Sequence, residues 1–438
     1  MNDLKEISIA LLGGSTSGKT TFLGGVVQAF QNRFLEFGDD VFGLIPISIN
    51  SGIVANDDKN CNVTVVESKD FAENMAEEAA MAAPAFGGNA APAFGGGVAP
   101  AFGGAAPAFT NANTSVKAGN AEKDDEKVDN IKAASGDVHN STLISAEIQK
   151  AWEISPEKGF RPGTATTKYV EVTFKVQINT EDKCILKITD YAGELLDNAC
   201  NVPEVMLKQL TSYIANSDSC IILANSRAMS SHIRERISNE KCMFVEQATI
   251  SALSALRING IIPAMASKNY CLLLAITQCD SPEVDKRMID DKFARAALDL
   301  TRYIYQPAFT TAKNKKWSRG VIPVTAIGRK EDGSPCVDEN NELLMNAEIN
   351  QENIDIAVLF CLYNAILAAN DDIKAEWESY KGLSLLKKAV RDHRNILKKQ
   401  SNDLCDIIKV IMSDKKIYDT IYCRECPLEK QADIGRIV

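Results

Sequence analysis

The stretch Gly13-Gly14-Ser15-Thr16-Ser17-Gly18-Lys19-Thr20 fits the pattern G-x-x-x-x-G-K-[ST]. The apolar run Ile7–Leu12 comes directly before it and predicts a buried strand. After it, the spacing of Phe22, Val26, Phe30 and Phe34 predicts an amphipathic helix from Thr20 to about Phe37. A glycine-rich loop between a strand and a helix is the context that phosphate binding requires. This prediction is favoured over a plain turn that carries a surface lysine.

The chemistry of the loop follows from its position at the start of a helix. Backbone N–H groups can curl around a phosphate there, and the helix dipole favours negative charge. We expect the Lys19 ammonium to contact the β- and γ-phosphates of a nucleotide and the Thr20 hydroxyl to bind Mg²⁺. The loop residues expected at the nucleotide are Gly13, Ser15, Thr16, Ser17, Gly18, Lys19, Thr20 and Thr21.

A second motif, Asp190-Tyr-Ala-Gly193, follows the apolar run Cys184–Ile188. A carboxylate at the end of a strand beside a phosphate loop can hold Mg²⁺, and a glycine N–H three residues later can approach a γ-phosphate. The pattern D-x-x-G is common, and when it stands alone an aspartate that caps a helix is the favoured explanation.

Two further motifs bear on the base of the nucleotide. Thr277-Gln278-Cys279-Asp280 follows the apolar run Tyr270–Ile276, and a carboxylate at Asp280 can accept two hydrogen bonds that guanine offers and adenine does not. Thr325-Ala326 follows Val321–Val324, where a backbone N–H could meet the guanine O6. Each motif is weak by itself, and their order along the chain gives them weight.

With these four motifs the chain resembles P-loop GTPases of the translation-factor and Ras-like class. The resemblance implies GTP or GDP as ligand, Lys19 on the phosphates, Thr20 and Asp190 on Mg²⁺, and Asp280 and the Ala326 backbone on guanine. It also implies a G domain that hydrolyses GTP. The spacing is more similar to bacterial GTPases of multi-domain or paired systems than to eukaryotic small GTPases.

Three features depart from the family pattern. Gln278 stands where the family has a lysine over the purine, which predicts weaker nucleotide binding. Glu194 stands after Gly193 where a water-orienting glutamine is frequent, so we expect slow hydrolysis with Lys19, Gly193 and Glu194 as the catalytic positions. The candidates for the threonine that closes over Mg²⁺ are Thr164, Thr166 and Thr167, of which Thr166 and Thr167 are favoured; ordinary loop chemistry before a strand explains them equally well.

The region between the first helix and the strand predicted at Lys168–Ile178 is far longer than a GTPase needs. Ala-Pro-Ala-Phe recurs in it at 83–86, 91–94, 99–102 and 106–109, followed by a polar, charged stretch. This composition predicts a disordered, low-complexity insert in the first switch region. Its phenylalanines could serve as weak contacts for a partner, although a flexible loop of tolerated length is the favoured interpretation.

The alternation of strands and helices predicts an α/β fold. We expect a doubly wound, mostly parallel, six-stranded G-domain sheet with a C-terminal helical extension. Strands are predicted at Ser219–Ala224 and the runs above, and helices at 230–259, 282–305 and 353–367. The predicted division is a G domain from 1–55 and 141–369, the insert at 56–140 and the helical extension at 370–438.

Composition limits the classes of partner. The net charge of −10 argues against a nucleic-acid-binding protein. No signal segment and no membrane span is predicted, so a cytoplasmic protein is expected. Residues 381–438 hold 13 Lys/Arg against 8 Asp/Glu. The favoured interpretation is a solvated face of helices that pack on the G domain; weak peripheral membrane contact or contact with a second subunit is the alternative. Cys423 and Cys426 have ligand-like spacing, but a complete zinc site within the chain is disfavoured.

Two functions follow from the sequence. The first is a regulatory GTPase, which switches a partner or effector protein through GTP binding and slow hydrolysis, with homo- or hetero-pairing of GTPases as one mode of regulation. The second is a nucleotide-stabilised interaction module with little turnover. An ATPase is less favoured, because it would make Asp280 a coincidence.

Overall fold

Nine strands form one mixed sheet among the residues that the computed structural model describes, in the order β2-β3-β4-β5-β1-β6-β7-β8-β9. The described residues are 4–14, 17–30, 35–37, 40–53, 152–155, 168–191, 214, 216–239, 270–281, 284, 289–304, 310, 313, 317–338, 343–344, 349–380, 388–427 and 437. The strands are Lys5–Leu12 (β1), Leu35–Phe37 (β2), Asp40–Ile53 (β3), Lys168–Ile178 (β4), Glu181–Tyr191 (β5), Ser219–Asn225 (β6), Cys271–Thr277 (β7), Ser318–Pro323 (β8) and Tyr422–Glu425 (β9).

The five central strands β5, β1, β6, β7 and β8 run parallel. Every residue of Ser219–Asn225 and of Cys271–Thr277 is buried. Near-continuous apolar runs of this kind are typical of parallel strands that are covered on both faces. Strands β2, β3 and β4 continue the sheet antiparallel on one side, and β9 does so on the other.

Helices cover both faces of the sheet. Their bounds are Lys19–Ala29 (α1), Ser226–Asn239 (α2), Asp291–Ile304 (α3), Ile354–Ser379 (α4), Lys388–Ser413 (α5) and Lys415–Thr420 (α6). One apolar core packs α1, α4, α5 and α6 against one face, and a second core packs α2 and α3 against the other. The α/β class expected from the sequence is confirmed.

The expected number of six strands is wrong, because the described residues contain nine. The first helix ends at Ala29 instead of near Phe37, and Leu35–Phe37 is a strand that pairs with Asp40–Phe42. The helical spacing of the phenylalanines predicted a longer helix. Leu35–Phe37 instead pairs with the start of β3, on the edge that β4 does not occupy. The helix expected at 282–305 begins at Asp291, where the Asp290 carboxylate accepts a hydrogen bond from the Phe293 N–H (2.9 Å).

The C-terminal part of the chain packs against the sheet. The boundary expected after residue 369 falls inside α4, which is continuous to Ser379. The Lys183 Nζ on β5 lies 3.4 Å from Asp403 Oδ1 and 3.4 Å from Asp406 Oδ2, both on α5. The segment expected to be a helical extension also contains a strand, β9, which pairs with β8.

One helix of the described residues, α4, has the length and apolar composition of a membrane span. Its most apolar window has a mean hydropathy of 1.5, and 83% of that window is buried inside the protein. Core helices have the same composition, so this single helix is weak support for a membrane span, in line with the expectation of none.

The order of the strands reverses beside β1. Strand β5 is its neighbour on one side and β6, the next strand along the chain after β5, is its neighbour on the other. In open α/β sheets, ligands bind outside the carboxyl ends of the strands at such a reversal. The loop that begins at Gly13 lies at that end of β1.

Candidate nucleotide-binding site

The Lys19 ammonium folds back over the loop that precedes it. Its Nζ donates hydrogen bonds to the backbone oxygens of Gly13 (2.9 Å) and Gly14 (2.8 Å). Ser17 closes the same turn, since its N–H and its hydroxyl both donate to Gly14 O (3.2 and 2.9 Å). Lys19 is 5% exposed, so a positive charge is held close to the loop backbone inside the protein.

Helix α1 begins without a side-chain cap. Gly18 occupies the N-cap with φ 83°, and no side-chain hydrogen bond to this end is found within the described residues. The first turn, Lys19 to Phe22, contains no acidic residue. An N-terminus without a carboxylate cap or acidic first turn leaves its positive dipole end to an anionic ligand.

Gly13 allows the loop to pass close to the neighbouring strand. A Cβ at this position would lie 2.8 Å from the Leu223 backbone oxygen on β6 and 2.4 Å from Ser17 Oγ. Contacts this short are essentially never seen for a real Cβ, so any side chain here would displace the loop. The first glycine of the motif is therefore required by packing.

Thr20 and Asp190 meet at the start of α1. The Thr20 hydroxyl donates to Asp190 Oδ2 over 2.7 Å, and Asp190 is fully buried on β5 opposite Leu11 of β1. A hydroxyl and a carboxylate are the oxygen ligands that Mg²⁺ prefers, and Mg²⁺ sites of this kind use one or two protein oxygens with phosphates and water. The pair fits such an ion.

No group of three or more His, Cys, Asp or Glu side chains that could hold a metal is found in the described part of the chain. That finding is compatible with Mg²⁺, which does not depend on an all-protein cage.

Thr277 connects β7 to the phosphate loop. Its hydroxyl donates to the backbone oxygen of Ser17 (2.7 Å) and lies 3.3 Å from that of Ala224. Asn225, the β6 residue in register with Thr277, is buried as well. Asn225 was not predicted from the sequence, although its position at the end of an apolar strand could have indicated it.

Asp280 is buried in the turn that follows β7. Its Oδ2 accepts a hydrogen bond from the Gly328 N–H (2.9 Å), and 7% of the residue is exposed. Burial raises the pKa of the Asp280 carboxyl, while the backbone N–H groups of Gly328, Asp280 and Ile327 oppose the shift. The turn itself is tight: Gln278 has φ 57°, and the Ser281 N–H donates to Gln278 O (3.0 Å).

The segment that begins at Thr325 lies alongside this turn. Thr325 and Glu352 exchange two backbone hydrogen bonds of 3.1 Å, and Ala326 is half-buried against the core. Gly328 has φ 87°, and a Cβ there would lie 1.9 Å from the Asn350 backbone oxygen. Gly328 was not predicted from the sequence, although it holds the carboxylate of Asp280.

The structure thus brings together Lys19, Thr20, Asp190, Thr277 and Asp280 at the carboxyl ends of β1, β5 and β7. Gly13, Ser17, Gly18, Thr21, Gln278, Thr325 and Ala326 lie in the same loops or the turn of the helix next to them. Ser15, Thr16, Thr164, Thr166, Thr167, Gly193, Glu194 and the expected insert at 56–140 lie outside the described residues.

Comparison with known proteins gives no relative for this chain, since no protein-family model matches it and neither does a curated protein.

Proposed function

We propose that this protein is a Mg²⁺-dependent GTP-binding protein that hydrolyses GTP slowly to GDP and phosphate. The observation that carries the proposal is the pairing of a lysine-bearing loop with Thr20 and Asp190 at one end of the sheet. A buried carboxylate, Asp280, follows a neighbouring strand at the same end. Phosphate chemistry and base recognition therefore have groups on adjacent loops.

The phosphate part of the proposal rests on Lys19 and the loop backbone. In the structure the ammonium is satisfied by the Gly13 and Gly14 carbonyl oxygens, which are neutral acceptors. Phosphate oxygens are charged acceptors and form stronger hydrogen bonds with an ammonium. Lys19 is thus expected to exchange the loop carbonyls for the β- and γ-phosphates when a nucleotide binds.

Thr20 and Asp190 would hold Mg²⁺, which when bound neutralises charge that develops on the phosphates. The Thr20 hydroxyl donates to Asp190 Oδ2, so the two oxygens are already side by side. Asp190 fixes the Thr20 side chain at the first turn of α1.

The choice of GTP over ATP rests on Asp280. A carboxylate can accept hydrogen bonds from both N1–H and the 2-amino group of guanine, whereas adenine presents no matching pair of donors. The Gly328 N–H fixes the orientation of that carboxylate. An ATPase is the less favoured alternative, because it gives Asp280 no role.

Slow turnover is proposed because Glu194 stands where a neutral glutamine would orient water, and its charge would face that of the γ-phosphate. Intrinsic rates of such enzymes run from about 10⁻⁴ to 10⁻² per second without an activator. Glu194 and Gln278 also favour the second candidate, a nucleotide-stabilised interaction module with little or no turnover. In both cases a partner protein would read the nucleotide state.

The test compares wild type with Lys19→Ala and, as a control, Lys175→Ala, which removes a lysine in a surface ion pair with Asp182 (2.8 Å). Binding of fluorescent GDP and GTP is titrated with Mg²⁺ or with EDTA, and single-turnover hydrolysis is followed on the same samples. We expect Lys19→Ala to weaken binding by about 100-fold, since a charge-assisted contact to two phosphates is lost. The control should bind as wild type does.

Measurable hydrolysis by wild type supports the regulatory GTPase, and tight binding without hydrolysis supports the interaction module. A folded wild-type protein that binds neither GTP nor GDP in the presence of Mg²⁺ would overturn both.

A further inference from the structure

Arg329 binds the backbone of the turn that carries Asp280. Its Nη2 donates to the backbone oxygens of Cys279 (3.2 Å) and Ser281 (3.0 Å), and also to that of Val284. Three carbonyl oxygens from one short segment thus converge on a single guanidinium nitrogen. Hydrogen bonds from a charged donor are stronger than neutral ones, so this contact stabilises the shape of the turn.

The convergence follows from the fold of the turn. The Ser281 N–H donates to Gln278 O and the Val284 N–H to Ser281 O, each over 3.0 Å. Successive tight turns align their carbonyl groups, as the last turn of a helix does, and create a negative pole that favours a cation.

Arg329 is itself held in place from the other side. Its Nη1 donates to Gly333 O (3.1 Å), and its backbone forms a bridge with Pro335. The Lys330 N–H donates to Ser334 O (2.9 Å), which closes this small loop. The guanidinium is therefore presented by a folded segment.

Residues 328 and 329 thus hold the turn in two ways. The Gly328 N–H donates to the carboxylate of Asp280, and the Arg329 guanidinium donates to the backbone on either side of that residue. We propose that Arg329 is a positioning residue for base recognition, which holds Asp280 in place and supplies the positive charge beside it. This inference rests on the proposed function, since it concerns how the same site selects guanine.

Electrostatics agrees with this geometry. Burial raises the pKa of Asp280, and the charge of Arg329 opposes the rise. The other titratable group that faces Asp280 among the described residues is Cys279, whose pKa burial raises to about 12, so that its thiol is neutral near pH 7. The backbone N–H groups of Gly328, Asp280 and Ile327 also favour the ionised form and lower its pKa. Arg329 thus adds a positive charge that favours the ionised carboxylate, beside the larger effect of these backbone N–H groups.

The experiment compares wild type with Arg329→Gln, which keeps hydrogen-bond donors and removes the charge, and with Arg329→Lys, which keeps the charge. Arg295→Gln is the control, because Arg295 is exposed and pairs with Asp291 within α3. Affinities for GTP and ITP are measured from pH 5 to pH 8 with Mg²⁺, and folding is checked by thermal unfolding. ITP lacks the 2-amino group, so the GTP/ITP ratio reports how well the carboxylate is placed.

We expect Arg329→Gln to lose about tenfold in GTP affinity and less in ITP affinity, so that the GTP/ITP ratio falls. Binding requires ionised Asp280, so the pH at which affinity declines on acidification should move upward in Arg329→Gln. Arg329→Lys should return that pH toward the wild-type value while restoring the ratio in part. The control should match wild type in both.

A GTP/ITP ratio and an acid limb that both stay at wild-type values in folded Arg329→Gln would overturn the inference, even if the melting temperature fell. If Arg329→Gln does not fold, Arg329→Lys decides: an unchanged ratio overturns the inference, and a reduced ratio supports it. A wild-type protein that selects GTP over ATP keeps the proposed function in either case. A wild type without guanine nucleotide binding overturns both.

Discussion

Burial of the ionised Asp280 carboxylate opposes folding, although the same group is the one proposed to bind guanine. Its carboxyl is buried, and its pKa in the folded protein lies above the ordinary value of 3.8. Protonation of this group therefore favours the folded state. The stabilisation is fully present below pH 3.8 and is lost as pH rises through the raised folded pKa.

We expect Asp280→Asn to be more stable than wild type at pH 7 when no nucleotide is added, because the charge is gone. The difference in melting temperature should shrink as pH falls through the folded pKa of Asp280 and vanish near pH 3.8. Thermal unfolding followed by circular dichroism across this range measures it.

Asp332→Asn is the control with the opposite sign. The hydroxyl and N–H of Ser334 hold the pKa of exposed Asp332 below its ordinary value, so its charge stabilises the fold above pH 3.8. This variant should lose stability at pH 7 and recover as the pH falls. A pH-independent difference for Asp280→Asn would contradict the assignment.

Residues whose role depends on a fixed spacing within one motif could be predicted from the sequence. Lys19, Thr20 and Asp280 belong to this group, because each stands at the position that its motif fixes after a recognisable apolar strand. Arg329 could not be predicted, since its contacts join loops that are distant along the chain. A single arginine after a strand has no pattern that separates it from a solvated one.

Two glycines with similar backbone angles allow a prediction for the loop that supports Asp280. Gly328 has φ 87° and Gly333 has φ 81°, but a Cβ would overlap the Asn350 backbone oxygen only at Gly328. Gly333→Ala should cost about 1 kcal/mol in stability, from backbone conformation alone. Gly328→Ala should cost at least about twice that, since the segment must also move.

Chemical denaturation of both variants measures these free energies of unfolding. Gly328→Ala should also weaken GTP binding, because the Gly328 N–H holds the Asp280 carboxylate. Equal losses of stability in the two variants would show that the contact with Asn350 relaxes freely.

Helix α5 is joined to strand β5 by a charge cluster that is more enclosed than a surface ion pair. Lys183 is 10% exposed and Asp403 15% exposed, whereas the nearby pair Lys187–Glu6 is 30% and 61% exposed. Lys183→Gln should lower the free energy of unfolding by about 1 kcal/mol, because it removes one of the two lysine charges that act on Asp403 in a partly enclosed site. Lys187→Gln should change it by less than about 0.5 kcal/mol.

Urea unfolding at pH 7 in low and moderate salt checks this prediction. An equal effect for both lysines would mean that the contact between α5 and the sheet does not depend on charge.

Elements were predicted well where burial makes the pattern uniform and poorly where it does not. Strands β6 and β7 are buried throughout and apolar in their interiors, and their position was clear from the sequence. The short strand β2 could not be predicted, because three residues pair only where β3 offers them an edge. Strand β9 could not be predicted either, because the strand that it pairs with, β8, lies about a hundred positions earlier in the chain.

The described residues are organised by one sheet with a core on each face. Trp152 is buried in the core beside α1 and Trp317 in the core on the other face. Because both cores share the same strands, we expect them to unfold together. The chain has a third tryptophan, Trp377. Variants that keep only Trp152 or only Trp317, with the two remaining tryptophans replaced by phenylalanine, report on each face separately.

In each variant, the denaturant midpoint from tryptophan fluorescence should coincide with the midpoint from far-ultraviolet circular dichroism. Two separate midpoints in the same variant would show that one face unfolds independently of the other.

The central claim is that the end of this sheet binds guanine nucleotides through Asp280. The most direct test is competition for fluorescent GTP with Mg²⁺, using unlabelled GTP, GDP, ATP and XTP on wild type and on Asp280→Asn. The account predicts that GTP and GDP compete with wild type, that ATP does not, and that the variant turns toward XTP, whose carbonyl matches an amide donor. Equal competition by ATP, with no change in Asp280→Asn, would contradict it.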